Sequence, residues 1–413
     1  MKAVVFHGIG DIRLDNVPEP KLQEPTDAIV RVTASAICGT DLHMIRGTLS
    51  GMRPGTILGH EAVGVVEELG PWVRDLKVGD RVVVPSTIAC GSCSYCRSGY
   101  YAQCDNANPH GIQAGTAFFG GPEATGPFQG LQAEYARIPY ANVGPVKLPD
   151  DVSDDEAILL SDIFPTGYFG ADLAEIKHGD TVAVFGCGPV GQFAILSAKL
   201  MGAGRVLAID QLPDRLEMAR DQGAECIDFS KEDPVEAIMQ LTRGIGVDRA
   251  IDAVGVDAQR PHAGPAEEQA RKQAEQFEKQ RRQIAPKAKP KGDSWVPGDA
   301  PSQALLWAVR GLCKAGTLSI IGVYPPQMQN FPIGQAMMRN LSINMGNCNH
   351  RRYLPELIGM VRSGQVKPTA VLTQREPLMS VLEAYEAFDR REPGWIKVEL
   401  KPGQQRRSQV RAQ

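Results

Sequence analysis

Apolar and polar residues alternate in short runs through the first 150 residues, as in "DAIVRVTASAIC", "AVGVVEELG", "GDRVVVPS" and "EYARIP", with Gly, Pro and Asp between the runs. Short β-branched runs cut by turn formers predict many short strands closed into a small barrel. The opening stretch, "MKAVVFHGIGDIRLDNVPEP", reads as a surface strand entering a turn. From about Thr181 the pattern changes. "TVAVFG", "GPVGQFAILSAKLMG", "RVLAID", "DRLEMARDQG" and "VDRAIDAVG" alternate apolar runs with helix-period segments, and "GTLSIIGV" and "LSINMG" continue the series. That alternation builds a doubly wound parallel sheet with helices on both faces. After Asn347, the helical "PLMSVLEAYEAFDRR" and the strand "WIKVEL" are assigned to a return into the first domain. The expected division is residues 1–162, 163–346 and a returning 347–413.

One segment, 258–303, interrupts the second domain. Its first half is a polar helix former and its second half is rich in Lys and Pro, a composition that buries no face in a core. It reads as an inserted arm. The arm leaves just after "IDAVGVD", at the carboxyl end of a sheet strand where ligands of such sheets bind, so it is expected to fold over the bound cofactor.

Length and charge narrow the function. A chain of 413 residues calls for two domains, because one core rarely serves more than about 250–300. A net charge of −4 offers no general attraction for nucleic acid or an anionic membrane. The longest apolar stretch contains Pro189 and Lys199 and fails as a membrane span. The N-terminus lacks the basic, apolar and small-residue order of a secretory signal, so the expected compartment is the cytoplasm and the expected partner a small molecule.

In that compartment the cluster "CGSCSYCRSGYYAQC" is reduced. Cys90, Cys93, Cys96 and Cys104, spaced x2, x2 and x7, suit a closed tetrahedral thiolate shell round a structural zinc, in a lobe at about 88–106. A closed shell has no open position, so the chemistry lies elsewhere.

"VAVFGCGPVGQFAILSAKLMGAGRVLAID" places Gly186, Gly188 and Gly191 between a strand and a helix, with Pro189 and Val190 opening that helix. Asp210 ends the next strand about 20 residues on, where a carboxylate takes the adenosine ribose hydroxyls of a dinucleotide. The glycines admit the pyrophosphate to the helix N-terminus. Asp210 favours NAD over NADP, and Arg215 nearby blurs that preference.

"ICGTDLH" and "LGHEAVG" add Cys38, Thr40, His43, His60 and Glu61. With the cysteine lobe and the glycine turn they resemble the zinc-containing medium-chain alcohol dehydrogenases, over nearly the whole chain outside the arm. The resemblance implies a GroES-like catalytic domain beside a Rossmann domain, NAD, two zinc ions per chain, and a homodimer or homotetramer. It makes Cys38 and His60 catalytic zinc ligands, sets Glu61 behind the metal, and gives Thr40 and His43 a proton relay. Lys397 matches a basic residue that contacts the pyrophosphate. In "LLSDIFPTGYFG", Asp162 occupies the third ligand position, where many members carry cysteine. A carboxylate there is similar to the glutathione-independent formaldehyde dehydrogenases and dismutases, which also carry an insertion in the nucleotide domain. The implied substrate is an alcohol or a hydrated aldehyde, since formaldehyde in water is mostly a gem-diol. Two alternatives stand beside this reading: a dismutase that recycles a retained NAD, and a zinc-ribbon binding module. Asp162 also reads as a helix cap. His350, in "GNCNHRRY", has only its place after a nucleotide-domain strand to recommend it.

Overall fold

A computed structural model describes residues 1–403 apart from 109, 112–114 and 127. Three sheets organise the described residues. The largest apolar runs form a six-stranded parallel sheet in the order Glu225–Asp228, Arg205–Asp210, Thr181–Phe185, Val247–Asp252, Leu312–Ile320, Ser342–Met345. Its strands alternate between two cores. Ala183, Phe185, Leu207 and Ile209 face one, while Val182, Val184, Val206 and Ala208 face the other. Burial on both faces explains why these runs read as continuously apolar. The strand order reverses between Thr181–Phe185 and Val247–Asp252, and that switch point opens the crevice where such sheets bind ligands.

The β-rich half holds a seven-stranded sheet centred on Ala28–Ile37, which pairs with Ala62–Leu69, Tyr135–Ile138 and Val398–Lys401. The last strand lies antiparallel to Ile37, Ala36 and Ser35, so the end of the chain closes on the first domain. A smaller sheet joins Asp11–Asn16, Lys2–Gly8 and Thr56–Ile57. The strand Lys2–Gly8 is not a surface strand: Ala3, Val4, Val5 and Phe6 are all buried, between two apolar clusters. Its flanking polar residues concealed a run apolar on both faces.

The arm also departs from expectation. It carries helices Glu267–Lys272 and Ala274–Ile284, and Ala270, Phe277 and Ile284 are buried. A narrow stripe on an otherwise charged helix suffices to dock it, and average polarity hid the stripe. Trp295 crosses to the catalytic domain and packs with Val4, Leu42, Ile45 and Tyr385.

Candidate active site and metal centres

Cys38 is the N-cap residue of helix Gly39–Arg46, and its own N–H donates to Asp41 Oδ2 at 3.0 Å. His60 follows Gly59, whose φ of +89° and contact with Gln132, 2.3 Å from any added Cβ, require glycine. Asp162 precedes helix Ile163–Leu173, yet its side chain makes no capping bond. It turns toward the other two instead: Asp162 Oδ2 lies 3.6 Å from Cys38 Sγ and 3.4 Å from His60 Nε2. Donors bound tetrahedrally to one zinc at about 2.0–2.3 Å stand roughly 3.3–3.6 Å apart, so these atoms fit a single ion. Glu61 joins the same buried group.

A second layer holds these donors. Asp41 Oδ1 lies 3.2 Å from the other ring nitrogen of His60. His350 Nε2 stands 2.8 Å from Asp162 Oδ1, to which the Ser86 hydroxyl also donates at 3.1 Å. Burial favours a neutral carboxyl, but the hydrogen bonds from His350 and His60 hold Asp162 well below the usual carboxylate range. Supports of this kind fix ligand orientation. Sequence reasoning singled out neither Asp41 nor Ser86 and gave His350 no role. The available signal was Asp41, three residues past a candidate ligand and at the capping-box position.

The four cysteines of the lobe converge. Cys90 Sγ accepts from the N–H groups of Ser92 and Cys93 at 3.4 and 3.3 Å, and Cys104 Sγ from those of Cys90 and Ala107 at 3.2 and 3.4 Å. Against burial, these donors and the Ser92 hydroxyl bring Cys90 down to about 6. Burial and neighbouring thiols push Cys96 and Cys104 up, an opposition that a bound cation would relieve. Their ligand atoms lie within 4.8 Å of one another.

A cavity of ≈ 890 Å³ joins the two domains. Cys38, Thr40, His43, His60 and Asp162 line it on one side; Gly186, Gly188, Pro189, Val190 and Asp210 line the other. Gly186 has φ +87°, and a Cβ on Gly191 would stand 1.8 Å from Gly186 O, so the turn folds only with glycines. A Cβ on Gly188 would meet only Arg215, within 4 Å, which leaves the cradle open. Helix Pro189–Leu200 begins without a side-chain cap, and its free N–H groups suit a phosphate. Asp210 Oδ2 accepts from Cys187 N at 2.8 Å, and Arg215 stands 4.0 Å from it.

His43 Nδ1 lies 3.0 Å from Asp257 Oδ2 and 3.1 Å from Thr48 Oγ1. The same Asp257 oxygen takes Arg46 Nη1 at 2.6 Å, while Asp257 Oδ1 accepts from Gly298 N at 3.1 Å. The arm is therefore tied to the cavity wall at its root. Of the arm, Ala258 and Gln259 line the cavity; its helices do not. Lys397 also departs from its reading as a pyrophosphate contact. Its fully buried amine donates to Glu61 Oε1 at 2.5 Å and to Ile37 O at 3.1 Å, which commits it to the metal side.

The model of the alcohol dehydrogenase GroES-like domain matches residues 24–150, and that of the zinc-binding dehydrogenase matches residues 189–263. An uncharacterized zinc-type alcohol dehydrogenase-like protein of Bacillus subtilis is 37% identical over 406 residues, covering 97% of this chain and 100% of that protein. The alcohol dehydrogenase TADH from Thermus sp. ATN1 superposes with a TM-score of 0.77 at 33% identity, covering 97% of this chain and 100% of that one. A glutathione-independent formaldehyde dehydrogenase of Pseudomonas aeruginosa is 41% identical over 279 residues, 65% of this chain and 69% of that protein. The chain belongs to the zinc-type alcohol dehydrogenase family of oxidoreductases. Among the described residues no helix is long and apolar enough to cross a membrane.

Proposed function

We propose that the protein is an NAD-dependent oxidoreductase, with two zinc ions per chain, acting on a small alcohol or a hydrated aldehyde such as the gem-diol of formaldehyde. The observation that carries this reading is the convergence of Cys38 Sγ, His60 Nε2 and Asp162 Oδ2 at 3.4 and 3.6 Å on a cavity shared with the glycine turn. When bound there, zinc supplies the Lewis acidity that eases loss of a hydroxyl proton. Asp162 in place of a thiolate donates less charge to that centre, which suits an oxygen substrate. The Thr40 hydroxyl, in the first turn of the helix that follows Cys38, and His43 would relay that proton to solvent by way of the nicotinamide ribose. Asp257, held against His43 Nδ1, fixes the tautomer that leaves Nε2 to accept it. Asp210 takes the adenosine ribose hydroxyls. The gem-diol is an alcohol, so no thiol carrier is required.

A second reading, a dismutase with retained NAD, draws support from the ties that Arg46, Asp257 and Gly298 make across the cleft. One assay addresses both. Formaldehyde and NAD without glutathione should yield formate with NADH; methanol and formate in equal amounts without added NAD would mark the recycling enzyme. Turnover that requires glutathione, or none with any small alcohol or aldehyde, overturns the proposal.

A further inference from the structure

The two oxygens of Asp162 have different surroundings. Oδ2 faces the other candidate ligands, 3.6 Å from Cys38 Sγ and 3.4 Å from His60 Nε2. Oδ1 meets His350 Nε2 at 2.8 Å, the Ser86 hydroxyl at 3.1 Å and the Thr166 hydroxyl at 3.2 Å. A carboxylate oxygen offers about two lone-pair directions, so three donors leave none for an ion. Ser86 and His350 are both buried, which keeps bulk water from replacing them.

His350 is itself held on both sides. Thr87 Oγ1 stands 3.2 Å from its Nδ1, and a hydroxyl that donates there leaves the ring proton on Nε2, the nitrogen aimed at Asp162 Oδ1. His350 opens helix His350–Arg362, and the residue before it, Asn349, accepts the Ala102 N–H on Oδ1 at 2.9 Å. Ala102 lies between Cys96 and Cys104, so the four-cysteine lobe pins the start of that helix. We propose that His350 is a positioning residue: with Ser86 and Thr166 it holds Asp162 Oδ1, makes Asp162 a one-oxygen ligand, and so reserves the fourth position of the catalytic zinc for the substrate oxygen. An unrestrained carboxylate can bind a cation through both oxygens, and its second oxygen would compete for the position that a catalytic zinc keeps open. The inference rests on the zinc site proposed above.

The test takes zinc-loaded protein and two readouts. Crystals of the wild type should show Asp162 Oδ2 about 2.0–2.2 Å from the ion and Oδ1 outside bonding distance, still beside His350. In His350→Leu, which fills the space without a donor, both oxygens should close on the ion. Azide, a small anion that takes an open zinc position, should bind the wild type in a calorimetric titration and bind His350→Leu about ten- to a hundredfold more weakly, the scale on which outer partners of a metal site act. His350→Gln, whose amide can donate to the same oxygen, should restore part of the azide affinity and the one-oxygen geometry. Where His350→Leu does not fold, Ser86→Ala carries the same test and should move both readouts the same way by less. Wild-type Asp162 bound through both oxygens, unchanged geometry and azide affinity in the variants, loss of the second zinc from His350→Leu, or a Gln variant no better than Leu overturns the role. Wild-type protein with no ion between Cys38, His60 and Asp162 defeats the metal site itself, and this role with it.

Discussion

Asp389 offers a sharp test of how the arm and the two domains are joined. Its carboxylate takes Arg46 Nη2 on Oδ1 at 2.7 Å and Trp295 N on Oδ2 at 2.6 Å, and the Arg46 and Asp389 side chains are 5% and 1% exposed. Asn at this position offers one acceptor where two are needed and turns an N–H₂ toward a donor. Removing one partner of a buried ion pair costs about 3–5 kcal/mol, since the remaining charge is stranded. Arg46 keeps Asp257 at 2.6 Å, which places Asp389→Asn near the lower end, at about 3 kcal/mol. For a domain of about 150–250 residues that corresponds to a Tm lower by roughly 6–12 °C. Thermal unfolding at fixed zinc, NAD and protein concentration reads it, because bound ligands shift Tm by mass action. The control is Asp151→Asn, which breaks an Arg362 pair with side chains 55% and 60% exposed and should cause no resolvable shift. If Asp389→Asn melts with the control, the buried network does not hold the arm.

Cys104→Ser should lose the lobe zinc and fold poorly, whereas Asp162→Ala should lose about one zinc per chain by elemental analysis and fold normally, because a structural ion contributes to folding and a catalytic one mostly does not. Asp210→Ala should weaken NAD by about 1–3 kcal/mol in a binding titration and raise the relative affinity for NADP; wild-type preference for NADP would defeat the assignment. Burial opposes ionisation of Asp257, but the charges of Arg46 and His43 prevail and depress its folded pKa. Its contribution is therefore complete above the unfolded carboxylate value of about 3.9 and drains as pH falls toward the lower folded value. The stability gap between wild type and Asp257→Asn should stay flat from neutral pH down to about pH 5 and close only in strong acid; a gap that closes near pH 6–7 contradicts the ion pair.

The side chains that converge in the two Cys/His/carboxylate clusters could be picked out because most sit in short motifs whose spacing carries its own chemistry: the x2, x2, x7 cysteines, "ICGTDLH" and "LGHE". The glycine turn was readable for the same reason. What escaped were contacts made by register. His350 reaches Asp162 across 188 positions, carried there by the loop after strand Ser342–Met345. Ser86 reaches the same carboxylate across 76. No local period announces such meetings. Lys397 shows the converse: a motif match placed its type correctly in the neighbourhood, while burial beside Glu61 decided which charge it serves. Trp295 and Phe277 were hidden by the polarity of the residues around them, although a few anchors fix an arm as firmly as a continuous apolar face.

The central claim is that Cys38, His60 and Asp162 hold one zinc on the wall of the nucleotide cleft. Anomalous scattering at the zinc edge, measured on crystals of the protein grown with NAD, tests it most directly. The account predicts two peaks per chain: one inside the Cys90, Cys93, Cys96 and Cys104 lobe, and one about 2.0–2.3 Å from Cys38 Sγ, His60 Nε2 and Asp162 Oδ2. A lone peak in the lobe, or a second peak coordinated without Asp162, would contradict it.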